Sequence, residues 1–241
     1  MSEKRLTGKI LRERIKLMQV PQPPQGLVDR FRALGEASGV VSDILDELGI
    51  IGVVSASTLR PTIADAVIVG SALTVKNILR EGDLHEDARQ NINKMAEFEA
   101  HNLAMPGDVL VIEGVPCISN MGGISAQTGK RQGELGAIVQ GGIRDVAHSR
   151  RVGYPVWASQ VTPVTGKWRI ETVEINGTIL IDGIKVSSGD IVLADSSGVC
   201  FIPLNRAAEV LLLCEKKAAA EDAKCASIAA GTPIPDLSKN A

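Results

Sequence analysis

Along the middle of the chain, apolar residues form short runs, and residues typical of turns separate one run from the next. Four of these runs have the length and composition of buried strands: residues 66–75, 108–112, 135–140 and 156–159. Three other stretches space their apolar positions as helices do: residues 84–101, 124–131 and 145–151. Because strands that alternate with helices form a sheet with helices packed on it, the pattern predicts an α/β fold.

Glycines mark the places where we expect the backbone to turn or to approach another segment closely. Gly70 lies inside the first apolar run and indicates a bulge or a close backbone approach. Residues 113–123 are predicted to form a loop after the second strand, and Gly141-Gly142 a turn after the third. Both segments follow strands, so we expect them at the same edge of the sheet.

Residues 173–201 change character and predict small antiparallel β structure. Asn176-Gly177 lies between strand-like runs and is typical of a hairpin. Further turns are expected at Asp182-Gly183 and at Ser188-Gly189-Asp190.

The two ends of the chain have patterns of their own. Residues 1–26 are basic and then rich in proline, which is typical of an arm with a stiff connector, and such arms often pack on a neighbouring subunit. A helical pattern starts at Leu27, and residues 42–49 predict a short capped helix that ends at a glycine. Residues 205–230 predict a long helix with one apolar stripe, and the tail beyond it is expected to fray.

Charge and composition exclude several classes of protein. Lysine and arginine total 26 against 28 acidic residues, and aromatic residues make up 2% of the chain. Neither a basic surface nor stacking platforms are therefore available, so we expect no nucleic-acid partner. The N-terminus is too charged for a secretory signal, and no apolar run reaches about 18 residues, so we expect a cytoplasmic protein without a membrane partner.

The four cysteines do not have the spacing of a zinc site. They lack a C-x-x-C pair and an accompanying histidine pattern, so we interpret them as reduced thiols, mostly in the core. Cys117 lies in a glycine-flanked loop, where a reactive thiol is the alternative.

The first candidate for chemistry is a glycine pair at the start of a helix. Gly122 and Gly123 lead directly into the helix predicted from Ile124, so free amides and the positive end of the helix dipole face whatever lies in front of them. A carboxylate fits such a place. The alternative is a tight turn in which glycine merely satisfies the backbone geometry.

The second candidate sets a guanidinium beside a carboxylate. Arg144 and Asp145 follow the next apolar strand, although Asp145 has a simpler explanation as the N-cap of its helix and Arg144 as a solvated charge. Ligands of open α/β sheets bind at the carboxyl ends of strands, so an anion held at one turn is within reach of the other. The combination favours a functional site.

Other candidates carry less weight. His148 lies one turn after Asp145 but is equally a surface group, and His85 and His101 are too far apart in sequence for an inference. The chain has no nucleophile elbow, no phosphate-binding loop and no well-placed dinucleotide fingerprint, which disfavours phosphoryl and hydride transfer.

The residues resemble a known family, the class II 4-hydroxy-4-methyl-2-oxoglutarate aldolases and their non-catalytic relatives, the regulators of ribonuclease activity. The order and spacing of five motifs carry the resemblance: Val41-Ser42-Asp43-Ile44-Leu45-Asp46, Gly107-Asp108-Val109-Leu110-Val111-Ile112, Gly122-Gly123-Ile124-Ser125, Gly141-Gly142-Ile143-Arg144-Asp145 and Gly198-Val199-Cys200-Phe201-Ile202-Pro203.

The resemblance implies a single compact α/β domain with a layered β/β/α core like the swivelling phosphohistidine domain. The resemblance runs from about Ser38 to Pro203, and the domain is predicted to cover residues 27–231, between the N-terminal arm of residues 1–26 and a tail of residues 232–241, with the C-terminal helix included. The family assembles as trimers or dimers of trimers with sites at subunit interfaces, so a homotrimer or homohexamer is expected.

The resemblance also implies roles for the candidate residues. In catalytic members, Asp145 corresponds to the anchor of Mg²⁺ or Mn²⁺, and Arg144 to the contact of the 2-oxo oxygen. The amides that hold the substrate carboxylate correspond to Gly122, Gly123, Ile124 and Ser125. Cleaving a 4-hydroxy-2-oxo acid, or decarboxylating oxaloacetate, leaves a pyruvate enolate whose negative oxygen a cation and an arginine stabilise.

The chain departs from the family pattern in two segments. Residues 115–120 lack the acid that the well-studied aldolases carry before the double glycine, and residues 195–198 are less acidic than usual. Decarboxylation, or cleavage of a different 2-oxo acid, suits such a site better than the namesake reaction.

Three functions remain open on the sequence. The first is a divalent-metal-dependent lyase for a small 2-oxo acid, and the second is a non-catalytic regulator of ribonuclease activity that binds a protein partner. The third is an enzyme of another class on the same scaffold, because a fold does not fix a reaction.

Overall fold

A ten-stranded mixed sheet forms the centre of the chain in the computed structural model, which describes residues 4–237. Its strands and those of a separate hairpin are β1 Val53–Ser55, β2 Arg60–Pro61, β3 Ile68–Leu79, β4 Asp108–Glu113, β5 Ser119–Met121, β6 Gly136–Ile143, β7 Val156–Val161, β8 Ile170–Ile175, β9 Thr178–Ile181, β10 Ile184–Ser187, β11 Ile191–Ala194 and β12 Gly198–Ile202. The helices are α1 Leu27–Ala33, α2 Ser38–Glu47, α3 Leu84–Gln90, α4 Glu97–Leu103, α5 Gly123–Gln132, α6 Val146–Arg151, α7 Ala207–Ala229 and α8 Ile234–Leu237.

Parallel strands make up the part of the sheet that carries the candidate residues. The order β1-β12-β11-β3-β4-β6-β7-β2 places β3, β4, β6 and β7 side by side and parallel, and β5 adds to β6 in the same direction. The flanking strands β11, β12, β1 and β2 run antiparallel to their neighbours. The chain is therefore a mixed α/β domain, as its pattern predicts.

Alternation along the central strands divides the apolar side chains between two faces of the sheet. In β4, Leu110 and Ile112 pack on one face with helices α4 and α5, whereas Val109 and Val111 pack on the other face with the β9–β10 hairpin. A third cluster joins α1, α2 and α7 to the strands around β11. Both faces of the sheet are covered, which explains why the central strands read as continuous apolar runs.

The N-terminal arm packs on its own chain. Ile10, Ile15 and Val20 are buried in the same cluster as β4 and α4, and the amide of Lys16 donates to the carbonyl of Ile175 at 2.9 Å. The structure therefore uses part of the arm to complete the core of its own chain, while packing on a neighbouring subunit stays a prediction.

Two predicted helices have different bounds in the structure. The helix predicted over residues 84–101 is two helices, because Asn91 adopts a left-handed conformation with φ of 53° and ends α3. The helix predicted over residues 42–49 begins earlier, at Ser38, and has no side-chain cap. Its end at Gly49, with φ of 66°, agrees with the prediction.

Two predicted turns are wrong. Gly141 and Gly142 lie inside β6, where a Cβ on Gly142 would be 2.5 Å from the carbonyl oxygen of Ile118, so crowding by a neighbouring segment requires the glycine there. Asn176-Gly177 does not close a hairpin, since β8 pairs with β3 and β9 pairs with β10. The hairpin turn is Asp182-Gly183.

The predicted loop over residues 113–123 contains a short strand, β5, which the sequence analysis missed. Helix α7 agrees closely with the prediction, and it is followed by a short turn of helix, α8, in the tail. Within residues 4–237, no helix combines the length and the apolar character that crossing a bilayer requires.

Gly70 tests how tightly the β3 strand is packed. A Cβ at this position would lie 2.1 Å from the carbonyl oxygen of Gly107, so Gly70→Ala forces the backbone apart and should lower the free energy of unfolding by about 1 to 3 kcal/mol. Gly39→Ala in α2 is the control, because its Cβ meets no atom within 4 Å and should be neutral or slightly stabilising. Urea unfolding of both variants measures the difference, and equal stabilities would contradict the packing.

Candidate active site

Three parallel strands end together at one edge of the sheet and define the candidate site. Met121 at the end of β5 pairs with Ile143 at the end of β6, which in turn pairs with Val161 at the end of β7. The segments that follow, from Gly122, from Arg144 and from Thr162, therefore leave the sheet side by side. The register brings together the two turns that the sequence analysis singled out.

Close contact, and not turn geometry, accounts for the glycine pair. Gly122 has φ of −141° and ψ of −167°, an extended conformation that any residue adopts. A Cβ there would nevertheless lie 2.9 Å from Oδ2 of Asp145, and one on Gly123 would lie 2.7 Å from the Cβ of His148. The pair lets helix α5 begin directly against Arg144 and Asp145.

Asp145 occupies the N-cap position of α6, but its side chain does not cap that helix. Its backbone is left-handed, with φ of 56°, and its side chain makes no capping hydrogen bond. Instead Oδ2 accepts a hydrogen bond from the amide of Gly123 at 3.1 Å, and Nε of Arg144 lies 3.5 Å from the same oxygen. The predicted N-cap position is thus confirmed, but the side chain does not cap the helix, and the carboxylate faces the other turn.

The first turn of α5 presents two further amides. The amide of Ala126 closes the first turn by donating to the carbonyl of Gly122, whereas the amides of Ile124 and Ser125 donate to no group among residues 4–237. The side chain of Ile124 is 70% exposed, and that of Ser125 points into the core. What these residues offer to a ligand is thus their backbone N–H groups at the positive end of the helix.

Arg144 lies between two openings at this edge. A cleft of about 360 Å³ is lined by Arg144, Asp145 and residues 161–163 after β7. A second, smaller crevice of about 50 Å³ is bordered by Arg144, Gly122, Glu97 and Lys167. The half-buried guanidinium can therefore contact a ligand in either opening.

Glu97 is a site residue that the sequence analysis missed. It is the first residue of α4, and burial raises the pKa of its carboxyl group, while a hydrogen bond from its own backbone amide and the nearby His101, Lys167 and Lys9 side chains act in the opposite direction. No sequence motif marks it, because its position depends on how α4 packs against α5 and β3.

A network of buried polar side chains supports the start of α5 from the side of the core. His101 contacts Oγ of Ser125 through Nε2 at 2.8 Å and Oε1 of Glu134 through Nδ1 at 2.7 Å. Tyr154 donates its hydroxyl to the other oxygen of Glu134 at 2.6 Å, and burial, with the Glu134 charge, raises the pKa of Tyr154 well above its usual value. The order of serine, histidine and carboxylate resembles a hydrolase triad, but all three side chains are buried, so the network positions α5 and does not meet a ligand.

Other candidate residues have structural partners. His148 packs beside Gly123 and contacts Gln127 at 3.0 Å through Nε2. Asp195, in the segment that is less acidic than usual in the family, is buried and accepts hydrogen bonds from the amide and hydroxyl of Ser38. Asp195 therefore anchors α2.

Asp145 is the one predicted metal ligand, and its surroundings fit a water-rich site. Among the residues that the structure describes, no group of three or more His, Cys, Asp or Glu side chains could hold a metal ion. Oδ1 of Asp145, however, has no hydrogen-bond partner among these residues, and the side chain is half exposed. Mg²⁺ commonly takes one or two carboxylates and completes its shell with water and ligand oxygens, so Asp145 fits such an ion.

Comparison with known proteins agrees with this architecture. The RraA-like family, Aldolase/RraA, matches residues 40–201. A Halalkalibacterium halodurans protein, provisionally named as a 4-hydroxy-4-methyl-2-oxoglutarate aldolase, is 29% identical over 199 residues, which are 82% of this chain and 86% of that protein. Protein DlpA of Legionella pneumophila is 30% identical over 179 residues, which are 72% of this chain but 27% of DlpA, so the chain spans about a quarter of that relative.

A solved structure has the same fold. RraAS2 of Streptomyces coelicolor, titled an unusual member of the RNase ES inhibitor RraA protein family, superposes with a TM-score of 0.70 at 24% identity and covers 88% of this chain and 99% of its own. At this identity the likeness concerns the fold alone.

Tyr154→Phe tests the buried network. The change leaves one oxygen of a buried carboxylate without its donor, which should lower the free energy of unfolding by about 1 to 3 kcal/mol. Urea unfolding of Tyr154→Phe, Glu134→Gln and the double variant measures the coupling between the two side chains. Strictly additive effects would show that the hydroxyl and the carboxylate do not interact.

Proposed function

This chain belongs to the RraA-like family of Aldolase/RraA proteins, and from that premise we propose that it is a divalent-metal-dependent carbon–carbon lyase. Its substrate is a small 2-oxo acid, which it cleaves or decarboxylates to release pyruvate. The observation that carries the proposal is the convergence of the first-turn amides of α5 with Arg144 and Asp145 at one edge of the sheet.

The first-turn amides bind the substrate's 1-carboxylate. Ile124 and Ser125 have N–H groups with no acceptor in the described chain, and the helix dipole adds positive potential at the same place. Gly122 and Gly123 let this turn lie directly against Arg144, Asp145 and His148, so a carboxylate at the amides is close to the Arg144 side chain.

Arg144 stabilises the charge that bond cleavage creates. When the C3–C4 bond of a 2-oxo acid breaks with its electron pair on C3, the charge spreads onto the 2-oxo oxygen as an enolate. A guanidinium fixed beside this oxygen lowers the barrier because its attraction is stronger for the enolate than for the neutral ketone. The ion pair with Asp145 orients the Arg144 side chain toward the amides.

Asp145 holds the divalent cation through its free oxygen. Oδ2 is committed to the amide of Gly123, which leaves Oδ1 as the donor, with water and substrate oxygens for the other positions. When bound, Mg²⁺ or Mn²⁺ supplies Lewis-acid stabilisation of negative oxygen.

Assembly is part of the proposal. Ile124 and Val161 border the site and are 70% and 71% exposed, so a second subunit that covers them would remove apolar surface from water and shield the substrate. We expect a homotrimer or a dimer of trimers in the cytoplasm, in line with the family resemblance.

The competing function is a non-catalytic regulator that binds a protein partner. It predicts partner binding that survives loss of Asp145, and the structural neighbour RraAS2 supports it only through the fold. The lyase is favoured because a surface-binding regulator has no need of a guanidinium and a carboxylate held against a helix N-terminus.

Arg144→Gln tests the proposal. The variant loses the positive partner of the enolate, so pyruvate release should fall about 10²- to 10³-fold. The assay supplies oxaloacetate or 4-hydroxy-4-methyl-2-oxoglutarate with Mg²⁺, with Mn²⁺ and with chelator. Arg151→Gln is the matched control, because Arg151 is exposed on α6 and makes no ion pair among the described residues.

Metal-dependent pyruvate release that Arg144→Gln abolishes and Arg151→Gln retains is the expected result. No pyruvate from either substrate in wild-type protein, under any of the three conditions, would contradict the lyase.

A further inference from the structure

Aldol cleavage needs a proton acceptor, and none of the residues that have a role in the proposed function provides one. The 4-hydroxyl group must lose its proton as the C3–C4 bond breaks, whereas Arg144 and the first-turn amides only donate. The loop over residues 115–120, where the family pattern has an acid, has none. Its Asn120 is fully engaged, since Oδ1 accepts from the amide of Val115 and Nδ2 donates to the carbonyls of Val115 and Ile118.

Glu97 is a second carboxylate at this edge, beside Asp145, and no other described residue donates to it. It lines the smaller crevice together with Gly122 and Arg144, and it forms no ion pair or hydrogen bond with another residue among 4–237. Neighbouring carboxylates are occupied: Glu99 accepts from the amide and hydroxyl of Thr7, and Glu134 accepts from Tyr154. Apart from the hydrogen bond from its own backbone amide, this partly buried carboxylate has no donor among the described residues, so it keeps accepting capacity that a ligand can use.

We infer that Glu97 is the proton-transfer residue for aldol cleavage in this site, an inference that rests on the proposed lyase function. The carboxylate takes the proton of the substrate's 4-hydroxyl, the C3–C4 bond breaks, and C4 becomes the carbonyl carbon of the departing product. The electron pair of the broken bond forms the pyruvate enolate. Glu97 then returns the proton to C3, so the residue ends in the state in which it began.

The surroundings of Glu97 suit both halves of this transfer. Burial raises the pKa of its carboxyl group and makes the carboxylate a stronger base than an exposed glutamate. Four positive or titratable groups surround it: His101 from the same helix, Lys9 from the arm, Lys167 from the loop after β7, and Arg144 across the crevice. The base acts when it is ionised, so the aldol rate should rise with pH through a pKa above the usual value for glutamate.

The inference separates the two reactions that the site supports. Decarboxylation of oxaloacetate breaks a C3–C4 bond without removing a hydroxyl proton, and water can protonate the resulting enolate. Glu97 is therefore needed for aldol cleavage but not for decarboxylation.

Glu97→Gln tests this role in the metal-loaded protein of residues 1–241. It should lower kcat for 4-hydroxy-4-methyl-2-oxoglutarate about 10²-fold or more and change oxaloacetate decarboxylation less than about 5-fold. Glu97→Asp retains a carboxylate and should recover part of the aldol activity. Glu221→Gln, on the exposed face of α7, is the control for a glutamate-to-glutamine change.

The outcomes distinguish this inference from the function on which it rests. Selective loss of aldol cleavage, together with loss of its rise with pH in Glu97→Gln, supports the role. An equal loss of both reactions, or no loss of either, overturns it and leaves the lyase standing. If wild-type protein releases pyruvate from neither substrate, the lyase and the role of Glu97 both fail.

Discussion

The hydrogen bond from the Gly123 amide to Oδ2 of Asp145 joins the two halves of the candidate site. It connects the start of α5 to the start of α6, and it requires that neither Gly122 nor Gly123 carry a side chain. The left-handed backbone of Asp145 costs about 1 kcal/mol and turns its carboxylate toward α5 instead of its own helix. The position of the Arg144 side chain depends on this arrangement, because its guanidinium is paired with the same carboxylate.

The buried network of His101, Glu134 and Tyr154 and the first-turn amides of α5 act as one unit. His101, Glu134 and Tyr154 fix Ser125 from the core side, so the first-turn amides of α5 have a defined direction before any ligand binds. Preorganised donors stabilise developing charge without having to reorganise during the reaction. This preorganisation accounts for much of the electrostatic stabilisation of transition states by enzymes. The same helix that carries His101 also carries Glu97 at its start, so one element supports the amides and borders the crevice.

Much of the fold could be predicted from the sequence because its signals are local. The apolar runs that became β3, β4, β6 and β7, and the helices α5, α6 and α7, follow from periodicity and from glycine stops. The errors arise where contact with a segment distant in sequence determines the local structure. Gly141-Gly142 lies in a strand because Ile118 and Asn120 pack against it. Asn176-Gly177 does not form a hairpin turn because β8 pairs with β3. Glycine signals crowding and turning alike, and sequence alone does not separate the two.

The residues of the candidate site also fall into those that local sequence signals predict and those that depend on distant contacts. The sequence identified Gly122, Gly123, Arg144 and Asp145, and parallel pairing of β5 and β6 brings them together, while their roles toward a substrate stay predictions. Glu97 and the His101 network were missed, since both depend on how α4 packs on the sheet, and no local pattern records that packing.

The most direct test of the account is a crystal structure of the protein with oxalate, a planar mimic of the pyruvate enolate, and Mn²⁺. The account predicts oxalate with one carboxylate against the amides of Ile124 and Ser125, an oxygen facing Arg144, and Mn²⁺ on Oδ1 of Asp145. Oxalate and Mn²⁺ bound elsewhere on the protein, or an empty site at saturating concentrations of both, would contradict it.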